Sequence, residues 1–138
     1  MYWQGKLTIH SSGRGTCDIG HRIENMTQRS GVQQGLCHLF IQHTSASLIL
    51  CENADSTVRH DLETFMAKLS PDGDPMFTHQ TEGADDMAAH IRSVLTQTEL
   101  SIPIIDGSLA LGTWQGVYLW EHRTSPHRRQ ITVTIHGE

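Results

Sequence analysis

The chain reads as an α+β fold of several mainly antiparallel strands with two or three helices, and three features of the sequence say so. Residues 2–10 and 130–136 alternate apolar and polar side chains with a period of two, the mark of half-buried strands. Apolar residues at helical spacing run through 58–69 and 85–95. Glycine-rich turns, such as Gly112-Thr113-Trp114-Gln115-Gly116, separate the later strands. At 138 residues with no repeat or linker, the sequence makes one domain spanning 1–138, long enough to bury a core.

In chain order, Trp3, Gly5, Leu7 and Ile9 define one face of the first strand. Residues 11–15 turn, 16–19 form a short second strand, and 20–29 form a helix stopped at Ser30-Gly31. Residues 35–44 are apolar on both faces and belong inside the fold. A polar corner at 44–47 leads to another strand at 48–50. Caps among Asn53, Asp55 and Ser56 open a helix whose stripe is Val58, Leu62, Phe65, Met66 and Leu69. Asp85 and Asp86 then suit the first turn of a helix whose buried stripe is Met87, Ile91, Val94 and Leu95. Strands follow at 99–105, 108–111 and 117–122, with Pro103 marking an edge or bulge.

The formal charge of −5, from 15 acidic and 10 basic side chains, argues against a nucleic-acid partner. No basic-then-apolar leader and no apolar run of about 18 residues is present, so secretion and a helical membrane anchor are not expected. Cys17, Cys37 and Cys51 form no C-x-x-C pair and suit reduced thiols in a cytoplasm.

Ten histidines make a metal site worth seeking. His43 ends a buried strand, His122 ends a later one, and His90 stands four residues after Asp86, within reach of its carboxylate. Three neutral imidazoles with an open position form a catalytic zinc-type set, although isolated packing histidines explain the same spacing. His79, in a polar loop, ranks low as a ligand. Thr44 and Ser45 add hydroxyls beside His43, and Arg123, Arg128 and Arg129 are suited to a phosphate. Gly112-Thr113-Trp114-Gln115-Gly116 reads either as an anion-facing turn or as a tight hairpin whose Trp114 packs the core. Cys51 near His43 is more simply a small packing residue than a nucleophile.

Five motifs then occur in one order: His43-Thr44-Ser45-Ala46-Ser47, Glu52-Asn53-Ala54-Asp55, Glu82-Gly83-Ala84-Asp85-Asp86-Met87, Gly112-Thr113-Trp114-Gln115-Gly116 and Glu121-His122-Arg123. Together they resemble the YjbQ family over nearly the whole chain. The resemblance implies a two-sheet β-sandwich with helices that assembles as a homotrimer, and it makes His43, His90 and His122 the metal ligands. It implies a polar pocket of Asn53, Asp55, Glu82, Asp85 and Asp86, with Glu82, Asp85 and Asp86 as acid–base candidates. Gly112, Thr113 and Gln115 become a phosphate-facing turn, joined by Thr44, Ser45 and Arg123. The implied activity is thiamine phosphate synthesis, joining a pyrimidine diphosphate to a thiazole phosphate. The expected cofactor is a divalent ion, zinc first, with magnesium accompanying a diphosphate substrate. The competing expectations are a metal-dependent hydrolase of a phosphorylated metabolite and a non-catalytic metal- or metabolite-binding module.

Overall fold

The computed structural model describes residues 1–138 as eight strands and three helices. A five-stranded antiparallel sheet has the order β1-β8-β3-β5-β6, built from β1 (Tyr2–His10), β8 (Arg128–Gly137), β3 (Gln34–Ile41), β5 (Glu99–Ile105) and β6 (Ser108–Leu109). A three-stranded antiparallel sheet has the order β2-β7-β4, from β2 (Gly15–Asp18), β7 (Gln115–Glu121) and β4 (Ala46–Glu52). The sandwich with helices that the motifs implied is therefore present.

Alternation explains the core. Ile131, Val133 and Ile135 of β8, Cys37, Leu39 and Ile41 of β3, and Leu7 and Ile9 of β1 point to one side and are buried. They meet Leu48, Val117 and Leu119 from the smaller sheet. Helix α1 (Gly20–Ser30) adds Ile23 to the same cluster and ends at Gly31, whose φ of 77° suits a residue without a β-carbon. No helix is long and apolar enough to cross a membrane.

The other two helices, α2 (Ser56–Leu69) and α3 (Asp86–Leu95), contact β4 of the smaller sheet. Asp55 caps α2 by accepting the Thr57 N–H at 3.0 Å. Both helices depart from the sequence expectation in what they bury. Of the α2 stripe only Met66 is buried, while Phe65 and Leu69 are exposed. In α3 the expected stripe is only partly inside: Met87 and Ile91 are half-buried, Val94 and Leu95 are exposed, and the fully buried positions are Asp86, Ala88, Ala89, Arg92 and Ser93. Small side chains let α3 approach β4 closely, and Ser93 Oγ reaches the Ala46 carbonyl at 3.5 Å. Two further corrections concern strand ends. β3 stops at Ile41, which leaves His43 in the loop, and β4 begins at Ala46, inside the expected polar corner. Trp114 does not pack the core; it is 63% exposed.

Candidate metal centre

The start of α3 places two side chains on one face. Asp86 and His90 stand four residues apart, and His90 Nε2 lies 3.0 Å from Asp86 Oδ2. His79, from the segment between α2 and α3, brings its Nε2 to 2.8 Å from the same oxygen. The ligand atoms of His79, Asp86 and His90 all lie within 4.8 Å of one another, and no other set of three His, Cys, Asp or Glu side chains does this. The carboxylate is buried, at 2% exposed, while the His79 and His90 rings are 41% and 31% exposed. The cluster therefore has a buried anionic floor and an accessible imidazole rim.

Proton placement gives the cluster its chemistry. His90 Nδ1–H donates to the Thr44 carbonyl at 2.9 Å, since a carbonyl only accepts. A neutral His90 ring then presents a bare Nε2 to a carboxylate oxygen, an acceptor facing an acceptor. Either a second proton or a metal cation must stand between them. A backbone carbonyl on the far nitrogen is also the usual way a ligating histidine is oriented. A tetrahedral ion with bonds of about 2.0–2.1 Å holds its ligand atoms about 3.3 Å apart, so small side-chain shifts suffice to admit one.

Arg123 and Asp85 support Asp86 from behind. Arg123 Nη1 meets Asp86 Oδ1 at 2.9 Å, its Nε donates to Asp85 Oδ2 at 2.9 Å, and its Nη2 donates to the Glu82 carbonyl at 2.8 Å. Asp85 Oδ2 also accepts the Thr124 N–H at 2.9 Å. Burial pushes the Asp85 carboxyl up, but Arg123 and the backbone donors outweigh it and hold the group well below the usual carboxylate range. Asp86 follows the same pattern: burial raises it, and His79, His90 and Arg123 more than offset the rise.

The other expected site residues lie elsewhere or are otherwise engaged. His43 Nε2 accepts the Gln130 N–H at 2.8 Å. His122 is fully buried, with Nε2 2.8 Å from Ser47 Oγ. The nitrogens of His43, His90 and His122 do not come within 4.8 Å of one another as a set. Ser45 Oγ accepts from Arg129 Nη2 at 2.9 Å, and Thr44 contributes its carbonyl to His90. Gln115 Oε1 accepts the Gly112 N–H at 2.8 Å, closing the turn on itself, and Asn53 Nδ2 donates to the Thr113 carbonyl at 3.3 Å. Asp55 is occupied as the α2 cap, and Glu82 contributes its backbone carbonyl. None of Asn53, Asp55, Gly112, Thr113 or Gln115 hydrogen-bonds to the His79–Asp86–His90 cluster. Sequence reasoning missed His79, and the available signal was a histidine seven residues before an Asp-x-x-x-His helix start.

Fold and site together define an α+β sandwich protein with a histidine–carboxylate cluster at the start of its last helix. The chain belongs to the YjbQ family: the model described as UPF0047 protein YjbQ-like matches residues 5–138. Among its relatives, UPF0047 protein sll1880 of Synechocystis is 52% identical over 132 residues, covering 96% of this chain and 90% of that protein. UPF0047 protein YjbQ of Escherichia coli is 44% identical over 142 residues, with both chains fully covered. A solved structure from Clostridium acetobutylicum, an uncharacterized conserved protein of the yjbq/upf0047 family, superimposes with TM-score 0.87 at 32% identity, covering 95% and 98% of the two chains. The Sulfolobus solfataricus protein SSO2532, described as of unknown function, gives TM-score 0.87 at 25% identity over the full length of both.

These relatives correct the functional expectation. They are described as UPF0047 or uncharacterized proteins, and none bears the name of a thiamine phosphate synthase or of any other enzyme. Thiamine phosphate synthesis, and with it a metal-dependent enzyme for a phosphorylated metabolite, does not stand as the function of this chain. Neither competing expectation, the metal-dependent hydrolase or the non-catalytic metal- or metabolite-binding module, is better supported by these relatives.

Proposed function

We propose that the protein binds one divalent first-row transition ion, zinc foremost, through His79 Nε2, Asp86 Oδ2 and His90 Nε2. The observation that carries this reading is geometric: two imidazole nitrogens, His79 Nε2 and His90 Nε2, converge at 2.8 and 3.0 Å on one buried Asp86 oxygen, while the Thr44 carbonyl orients the His90 ring from its other nitrogen. Two imidazoles and one carboxylate are a borderline donor set, which suits zinc or its neighbours better than magnesium. Three protein ligands leave a fourth position on the accessible side. Of the histidine triad expected from the motifs, only His90 is kept as a ligand.

Elemental analysis of untagged protein, dialysed against zinc and then against buffer, tests this. About one ion per chain is expected in the wild type, lost in His79→Ala, Asp86→Asn and His90→Ala and kept in His43→Ala and His122→Ala. The bound ion is also expected to raise the unfolding midpoint, since a ligand at a hundred times its Kd adds about 2.7 kcal/mol. A wild type that stays metal-free, or loss of metal in the His43 and His122 variants alone, would overturn the assignment.

We also propose a homotrimer working in a reducing cytoplasm. Support comes from the three unpaired cysteines and from an apolar groove of about 830 Å³ between α2, β4 and the start of β5, edged by exposed Phe65, Leu69 and Leu95. Light scattering is expected to give the mass of three chains, and a smaller mass in Phe65→Glu. A wild type with the mass of one chain at micromolar concentration would refute the trimer.

A further inference from the structure

We infer that Arg123 determines which metal ions the His79–Asp86–His90 site accepts, an inference that rests on the metal-binding reading above. A carboxylate can offer an ion one oxygen or two. In Asp86 the choice is already made, because Oδ1 is held by Arg123 Nη1 at 2.9 Å while Oδ2 faces both imidazoles at 2.8 and 3.0 Å. Only one oxygen is free to ligate.

Arg123 itself has little freedom to move away. Its planar fork is spread over three acceptors, Asp86 Oδ1, Asp85 Oδ2 and the Glu82 carbonyl, and its backbone N–H donates to Glu121 Oε2 at 3.1 Å. Asp85 supplies the matching negative charge, so the guanidinium's charge is largely offset before an ion arrives. A lysine ammonium, as a single point donor, cannot satisfy this spread of acceptors.

The consequence is selectivity. Two nitrogens and a single oxygen suit a four-coordinate ion of borderline softness. Manganese and calcium favour oxygen donors, and calcium takes six to eight of them, often through bidentate carboxylates. Releasing Asp86 Oδ1 would let the carboxylate grip such an ion with both oxygens. Arg123 is thus a positioning residue that acts on the metal through Asp86.

The test is competitive binding of zinc and manganese to wild type, Arg123→Gln and Arg123→Lys, with folding checked by circular dichroism and His90→Ala run in parallel. In Arg123→Gln the zinc-to-manganese affinity ratio is expected to fall by about tenfold, a change comparable in size to the affinity losses caused by altering residues that orient metal ligands. Arg123→Lys, which keeps one donor and the charge, is expected to fall between that variant and the wild type. A purely structural role for Arg123 would weaken both metals together and leave the ratio unchanged, and that result would overturn the inference. If Arg123→Gln does not fold, an unchanged ratio in Arg123→Lys does the same. Zinc binding that survives in His90→Ala identifies failure of the site assignment itself, separately from Arg123.

Discussion

Arg129→Met is expected to lower the unfolding free energy at neutral pH by roughly 3–5 kcal/mol, because it leaves a buried carboxylate without its partner. Arg129 on β8 and Glu121 on β7 are 4% and 1% exposed and join the two sheets. Arg129 Nε donates to Glu121 Oε1 at 2.8 Å, and Nη2 pairs with Oε2 while also donating to Ser45 Oγ at 2.9 Å. Glu121 Oε1 accepts from Ser11 Oγ at 2.6 Å, so the network also holds the turn after β1. Truncating the arginine leaves the Ser11 and Arg123 N–H donors in place but removes the charge that compensates the carboxylate. Converting both partners, Arg129→Met with Glu121→Leu, is expected to recover much of the loss, because no charge is then stranded. Urea denaturation of the two variants and the wild type measures this, and a single-variant loss below about 1 kcal/mol would mean the pair is not buried as described.

The same pair fixes a sign for acid sensitivity. Burial raises the Glu121 carboxyl, but Arg129, Ser11 and the Arg123 N–H outweigh it, so the folded group sits below its ordinary 4.5. A depressed carboxyl contributes stability that is present above the unfolded value and lost as pH falls through the folded one. Arg129→Met removes the main depressing partner and should flatten that part of the acid limb.

The sequence made some of this legible and hid the rest for identifiable reasons. Strand alternation in β1 and β8 pointed directly at the core, since every second residue of a half-buried strand must be apolar. Helix α3 misled because two of its large apolar residues, Val94 and Leu95, lie on its outer face while Met87 and Ile91 are only half-buried. Its inner face carries small residues together with Asp86, paired with Arg123, and Arg92, whose Nη2 pairs with Glu63 and whose guanidinium lies over the Trp120 ring. Periodicity shows that a helix has two faces, and tertiary contacts decide which is inside. His79 was ranked low for a different reason. It comes from an irregular segment, and nothing in its local sequence reveals that this segment returns to the start of α3. One of the two readings of residues 112–116 packed Trp114 into the core, whereas the turn carrying it is closed by Gln115 and Asn53 and needs no buried indole.

His122 should govern stability between about pH 4.5 and 6.5, above the range where the carboxylates titrate. Burial, reinforced by Arg92, Arg14 and Arg129, pushes its folded pKa from 6.5 down to about 3. The unfolded chain therefore takes up a proton as pH falls through 6.5, and the folded chain does not. Protons bound by the unfolded state alone make stability rise with pH, so the folded state weakens progressively on acidification. A full proton difference corresponds to a slope of about 1.4 kcal/mol per pH unit. His43, lowered by burial and by Arg129, adds a smaller effect of the same sign. In His122→Gln, with metal removed by chelator, the slope between pH 6 and 4.5 is expected to fall by most of one proton, whatever the variant's stability at pH 7. An unchanged slope would place a proton on the native ring and contradict its burial against Ser47 and Trp120. The buried ring is thus a neutral group packed against Ser47 and Trp120 of the smaller sheet, one whose cost appears only when acid offers the unfolded chain a proton.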